Sequence, residues 1–276
     1  MEPKGYVETP TSLVNLMVEK LFKHGPPFLH SRVLIPGCGK GTFIDGIIRW
    51  CHEQDVSIPR LLGVELNEHL ALEAKRKYVE YPMVTIENDD FLEPSDSVTA
   101  LEKYDFIIGN PPYVSINQIQ EEDRRRYRAL YQSAKRRFDL YMLFFERALR
   151  CLKLNGRLVF ITPEKFLYVE TAEQFRKLLS SKHIEEVHLL DEGVFGKIVA
   201  YPAVTTVVNQ SGNDRMYLIL RDGQVVSSKL SSTGSSWLPN KTPSTITSEH
   251  VLGDICDRIS CGVATGADSV FVKKNG

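Results

Sequence analysis

Apolar residues along the chain recur with two different periods. Short runs rich in Val, Ile and Leu at residues 32–35, 61–65, 84–87, 105–108, 157–161, 186–190 and 204–208 read as strands. Between them, stretches with apolar positions three and four apart predict amphipathic helices at 43–51, 68–78, 140–152 and 172–179. Another helix is predicted ahead of the first strand, over 11–23. Leu13, Leu16, Met17 and Leu21 share one of its faces, and Pro10 stands at its start, where a missing N–H costs nothing. Strands alternating with helices imply an α/β fold: a doubly wound, mostly parallel sheet with helices on both faces. Ligands of such sheets gather at the carboxyl ends of the strands, so the residues just after each strand are where chemistry is sought.

Past residue 209 the pattern changes. Residues 216–220 and 225–230 flank Asp222-Gly223, a hairpin signal. Residues 231–248 are rich in Ser, Thr and Pro and read as a linker. The layout predicted is a main domain over 1–230, a linker over 231–250 and a further segment over 251–276. That segment is too short for a core of its own. It either docks on the main domain or opens a domain that continues beyond it.

Composition narrows the functional classes only a little. With 34 basic and 35 acidic residues the net charge is −1, so any contact with nucleic acid must come from a local basic patch. None of the five cysteines forms a C-x-x-C pair and no His pair sits at zinc spacing, so no metal site is predicted. Reduced thiols in the cytoplasm are the expected state. No apolar run approaches the ~20 residues needed to span a bilayer, and the N-terminus lacks a signal core, so no membrane association is expected.

Motifs follow the strands in order. After the first comes Pro36-Gly37-Cys-Gly39-Lys-Gly41, a glycine-rich turn into a helix. Its backbone can approach a bound nucleoside closely, although any tight strand-to-helix turn can use glycine. The spacing is not that of a P-loop. The second strand ends at Glu65, whose carboxylate can accept from both hydroxyls of a ribose. A plain surface Glu is the alternative. After the third strand, Asp90 can accept from the amino group of an adenine, and Phe91 can stack on the ring. After the fourth comes Asn110-Pro111-Pro112-Tyr113. Tandem prolines fix φ and remove competing N–H donors, and they push the residue before them to an extended conformation. The Asn110 amide oxygen and the Pro111 carbonyl then stand as rigid acceptors beside the aromatic Tyr113, a trap for an amino group on a planar ring.

Taken together these residues resemble the gamma class of DNA adenine-N6 methyltransferases, the TaqI-like group of restriction–modification enzymes. Tyr6-Val-Glu-Thr9-Pro10, Phe138-Asp-Leu-Tyr141, residues 154–163 and Gly193-Val-Phe195-Gly-Lys197 match further segments of that family, and the likeness covers most of residues 6–209. Residues 252–271 resemble the opening of its target-recognition domain. The resemblance implies a Rossmann-like class I methyltransferase sheet with S-adenosylmethionine as cofactor, held by Thr9, Pro36, Gly37, Gly39, Gly41, Glu65, Asp90 and Phe91. It implies methyl transfer at Asn110, Pro111, Pro112 and Tyr113, with Phe195 on the second face of a flipped adenine. The implied partners are double-stranded DNA and a cognate restriction endonuclease or specificity subunit. The family usually carries an acidic residue, facing the methionine ammonium, where this chain has Ile35.

Arg124, Arg125, Arg126 and Arg136 belong to a basic run that follows the trap, and Lys197 lies further on. They read either as a solvated helix face or as a phosphate clamp for DNA. Similar Asn-Pro-Pro-Tyr traps serve glutamine-N5 methyltransferases and some RNA guanine-N2 methyltransferases. A catalytically silent DNA-binding partner subunit is the reading from another class.

Overall fold

Val33 and Ile35 point to one face of the central strand and Leu34 to the other, and all are fully buried. That two-residue alternation, repeated along the sheet, splits the apolar residues into two cores, as expected when both faces are covered. The structure is a computed structural model that describes residues 8–93, 103–195 and 201–238. The chain divides into two units, Met1–Pro239 and Asn240–Gly276, and the described residues lie in the first.

In chain order the elements are α1 (Thr11–Leu21), β1 (Arg32–Pro36), α2 (Thr42–Glu53), β2 (Arg60–Glu65), α3 (Glu68–Lys77), β3 (Val84–Asn88), β4 (Tyr104–Gly109), α4 (Glu121–Leu130), α5 (Leu140–Cys151), β5 (Leu152–Pro163), α6 (Glu173–Ser180), β6 (Lys182–Leu189), β7 (Pro202–Ser211), β8 (Arg215–Ile219) and β9 (Val225–Lys229). The strands form one sheet in the order β3-β2-β1-β4-β5-β7-β6-β8-β9. β1 pairs in parallel with β2 on one side and β4 on the other, so the winding reverses beside β1. β7 runs antiparallel between β5 and β6. The predicted hairpin is β8–β9, with Gly223 at φ 82°, and β8 extends the same sheet by pairing in parallel with β6. α1, α2 and α3 cover one face, and α4, α5 and α6 the other.

α1 is fixed from both sides. Leu13, Val14, Met17, Val18 and Leu21 are buried, and the absence of a side chain at Gly46 in α2 lets Val14 come close, since a Cβ there would lie 2.3 Å from Val14 Cγ1. At its far end Lys20 pairs with Glu186, and Lys23 and Arg157 pair with Glu185 at 2.8 and 2.6 Å. Burial pushes the Glu185 carboxyl up, but hydrogen bonds from Lys23 and Arg157 outweigh it and hold the group at about 2. This packing anchors the helix whose N-terminal neighbour is Thr9.

The structure differs from the sequence pattern in three places. Residues 121–130, where apolar periodicity predicts no helix and the basic run reads as a solvated helix face or a phosphate clamp, form α4, of which Tyr127 is the buried residue. The expected helix over 140–152 ends at Cys151, and β5 begins at once, turning through Asn155 at φ 64° before its central run. Residues 231–238, the first part of the expected linker, pack on the domain. Trp237 is fully buried with its ring 6.3 Å from that of Phe166, and its backbone N–H donates to the Leu167 carbonyl at 2.8 Å. The rest of 231–250, and all of 251–276, lie outside the described residues. Cys38, Cys51 and Cys151 are free and buried, burial pushing the first two up to about 12 and about 11. Cys256 and Cys261 lie outside the described residues. No described helix is long and apolar enough to cross a membrane.

Trp237→Ala should therefore cost about 3–5 kcal/mol in denaturant unfolding, the range for emptying a large aromatic site. A cost near zero would mean that residues 231–238 do not belong to the folded domain.

Candidate active site

β1, β2, β3 and β4 are mutually parallel, so their carboxyl ends share one edge of the sheet. There they border a cavity of about 370 Å³ whose walls include Thr9, Gly37, Glu65, Asp90, Phe91, Asn110 and Pro112. These residues come from five separate points in the sequence and meet because each follows or precedes an element of the sheet layer. Pro36, Gly39 and Gly41 form the turn behind the wall, and Pro111 and Tyr113 lie just off it.

The turn after β1 is held by backbone. Gly37 and Cys38 donate to the Val64 carbonyl at 2.8 and 3.1 Å. Gly37, Gly39 and Gly41 all have positive φ (65°, 54° and 92°), the region that favours glycine. At Gly41 a side chain is excluded twice over, because a Cβ would also lie 2.3 Å from the Tyr78 hydroxyl. That hydroxyl lies 2.7 Å from the Gly41 carbonyl and 2.8 Å from Asp45, two acceptors that share its one proton, which seats the start of α2. Lys40, inside the loop, turns outward to pair with Glu73 at 3.2 Å.

Glu65 is buried at 8% exposure, and each of its oxygens accepts one backbone N–H: Gly39 at 2.9 Å and Asn67 at 2.8 Å. A carboxylate has about four acceptor positions, so two stay open toward the cavity wall that it forms. Asp90 accepts from the Leu92 N–H at 2.9 Å, and burial pushes its carboxyl above the ordinary carboxylate value. Phe91 packs against Phe144 of α5 with ring centroids 5.2 Å apart. On the opposite side, the Asn110 Nδ2 donates to the Thr9 hydroxyl oxygen at 3.2 Å. The loop after Asn110 is pinned to the start of α5: Leu140 donates to the Val114 carbonyl at 2.8 Å and Ile116 to that of Phe138 at 3.1 Å. Tyr113 meets Phe195 edge to face, centroids 6.3 Å apart at 84°. Lys197 lies outside the described residues.

A family model, the Eco57I restriction-modification methylase, matches residues 57–195, just over half of the chain. The chain belongs to this family. The Type II methyltransferase M.TthHB8I of Thermus thermophilus is 30% identical over 243 residues, which are 84% of this chain and 51% of that protein. M.PaeR7I of Pseudomonas aeruginosa is 28% identical over 237 residues, 77% of this chain and 41% of that protein. The chain thus spans about half the length of these relatives or less. Among solved structures, a Listeria monocytogenes protein assigned to the class I S-adenosylmethionine-dependent methyltransferases superposes with a TM-score of 0.64 at 18% identity, covering 80% of this chain and 67% of that one.

A class I methyltransferase fold in a methylase family takes S-adenosylmethionine as its cofactor, and the cavity fits it. A nucleoside needs close backbone approach, which the glycine turn allows, an acidic group for its ribose, and an acceptor with an aromatic wall for its adenine. Glu65, Asp90 and Phe91 are placed accordingly. Periodicity does not single out Tyr127, Glu8 or Phe144, which also line the cavity. The Phe138–Tyr141 match is the one pointer to that side, since it marks the start of the helix that carries Phe144.

The basic run divides. Arg124 bonds the Ile119 carbonyl at 2.8 Å and pairs with Glu121 at 3.3 Å, Arg126 pairs with Glu93 at 2.7 Å and Asp123 at 2.9 Å, and Arg136 lies 3.8 Å from Glu173. Arg125, Arg128, Lys135 and Arg137 make no ion pair among the described residues.

Glu65→Ala should affect both ligand binding and the fold. The structure couples the two, because the variant strands the Gly39 and Asn67 N–H groups. Calorimetry should show affinity for S-adenosylmethionine falling about tenfold or more, and unfolding should show a loss of about 1–3 kcal/mol. Unchanged affinity would remove Glu65 from the site.

Proposed function

We propose that this chain carries the catalytic domain of a site-specific DNA methyltransferase of a restriction–modification system, acting on the N6 amino group of an adenine flipped out of the duplex. The observation that carries the reading is the Asn110 amide at the cavity wall, its Nδ2 end engaged by Thr9. This leaves the Oδ1 end as the amide's acceptor, followed by prolines that offer no N–H of their own.

When bound, S-adenosylmethionine supplies an activated methyl group. The rest is positioning by the protein. The lone pair of an adenine amino nitrogen is delocalised into the ring, which makes it a poor nucleophile. Asn110 Oδ1 and the Pro111 carbonyl accept its two N–H bonds and draw the nitrogen toward tetrahedral geometry, so that the lone pair turns to the cavity. No covalent enzyme intermediate is required. Tyr113 and Phe195 form the aromatic wall for the flipped base. They now meet edge to face, so stacking a base between them requires a ring to turn. Stacking is worth ~1–3 kcal/mol per base, which offsets part of the cost of flipping.

Family membership supports DNA over a glutamine or RNA substrate, and the intact trap speaks against a silent subunit. Arg125, Arg128, Lys135 and Arg137 are the side chains proposed for phosphate binding, since Arg124, Arg126 and Arg136 already have carboxylate partners. In the proposed layout the catalytic domain runs from residue 1 to about Trp237, and residues 251–276 open a target-recognition domain. Duplex DNA, a cognate endonuclease or specificity subunit, and a cytoplasmic setting complete the proposal.

Asn110→Ala should leave S-adenosylmethionine affinity nearly unchanged and lower turnover on duplex DNA by about 10²–10³, the scale for removing one preorganised hydrogen bond. Full activity would overturn the assignment. Replacing Arg125 and Arg128 with Ala should flatten the salt dependence of DNA binding by about one unit of slope for each phosphate no longer neutralised. An unchanged slope would return α4 to the role of a solvated face.

A further inference from the structure

The cofactor carries a nucleoside, a sulfonium and an amino-acid arm that ends in an ammonium and a carboxylate. The cavity orders these parts. Glu65 and Asp90, at the ends of β2 and β3, take the nucleoside. Asn110, where the methyl group leaves, marks the sulfonium. The amino-acid arm must then lie near the turn after β1 and the chain entering α1. β1 brings no charge to that place: Ile35 is fully buried in the core shared with α1 and α2 and is not part of the cavity wall.

The described carboxylates in the wall are Glu8, Glu65, Asp89 and Asp90. Glu65 accepts from Gly39 and Asn67, Asp90 from Leu92, and Asp89 from the Asp90 N–H at 2.8 Å, so these three are built into the β2 and β3 turns. Glu8 stands apart from them. It is exposed, makes no ion pair among the described residues, and directly precedes Thr9, whose hydroxyl accepts from Asn110. We infer that Glu8 holds the ammonium of the cofactor's amino-acid arm and supplies the counter-charge that β1 lacks. The assignment rests on S-adenosylmethionine as cofactor and is independent of which base is methylated.

Three ligands separate the parts. S-adenosylmethionine has both cations, S-adenosylhomocysteine keeps only the ammonium, and 5′-methylthioadenosine has neither. Once the unaltered protein is shown to bind S-adenosylmethionine by calorimetry, which tests the cofactor itself, Glu8→Gln and Glu8→Ala are compared on all three. For S-adenosylmethionine and S-adenosylhomocysteine, affinity should fall by about fivefold, the scale of an exposed ion pair. That deficit should shrink at high salt. Affinity for 5′-methylthioadenosine should be unchanged, which also reports an intact cavity. Equal loss for all three ligands, or loss for none, would overturn the inference. Loss confined to S-adenosylmethionine would overturn it as well, because it would place Glu8 on the sulfonium.

Discussion

The Glu65 carboxylate ties the end of β2 to the glycine turn after β1, through one N–H from Gly39 and one from Asn67. Much of the site depends on this link. The turn has to stand away from the strand ends to leave a cavity, and positive φ at Gly37, Gly39 and Gly41 lets it do so only if something holds it in place. A buried carboxylate with backbone donors is a stiff tether, since leaving the buried Gly39 N–H unmet would cost about 1–3 kcal/mol. The same group forms part of the cavity wall, so the residue that shapes the cavity also faces its ligand.

A second constraint comes from topology. The winding reverses beside β1, which opens a crevice between the loops after β1 and β4. Cofactor-side residues then gather on the β1–β3 side and Asn110 on the β4 side. The hydrogen bond between Asn110 and Thr9 joins residues 101 positions apart at the wall of the cavity. It depends on α1, whose packing on Gly46 and ion pairs with β6 place Thr9 there. Residues proposed for the cofactor and for the base therefore share one cavity although no single segment carries both sets.

Most of the sheet and the centre of the site are legible in the sequence. Strands buried on both faces leave unbroken apolar runs, and the glycine turn, Glu65 and Asn110–Tyr113 each stand at the end of such a run; Asp90 follows the edge strand β3, where only Ile86 is buried. Helix α4 is legible only in outline, as the solvated helix face that its basic run allows, because a helix with one buried residue, Tyr127, has almost no apolar period to fix its bounds. The split among the arginines of that basic run is not legible, since pairing with Glu93 or Glu173 is a tertiary fact. Residues 231–238 read as a linker because Ser and Thr dominate their composition, while Trp237 is fully buried. Glu8 carries no signal of its own beside Thr9, because its place in the wall depends on where α1 sits.

The proposed methyl acceptor is an amino group on a base, and the proposed base is adenine. Nucleoside mass spectrometry of DNA from cells expressing the full-length protein, against DNA from cells without it, tests this most directly. N6-methyladenine should appear in the DNA only with the protein. Methylation found on cytosine, or DNA with its adenine unmodified, would contradict this assignment.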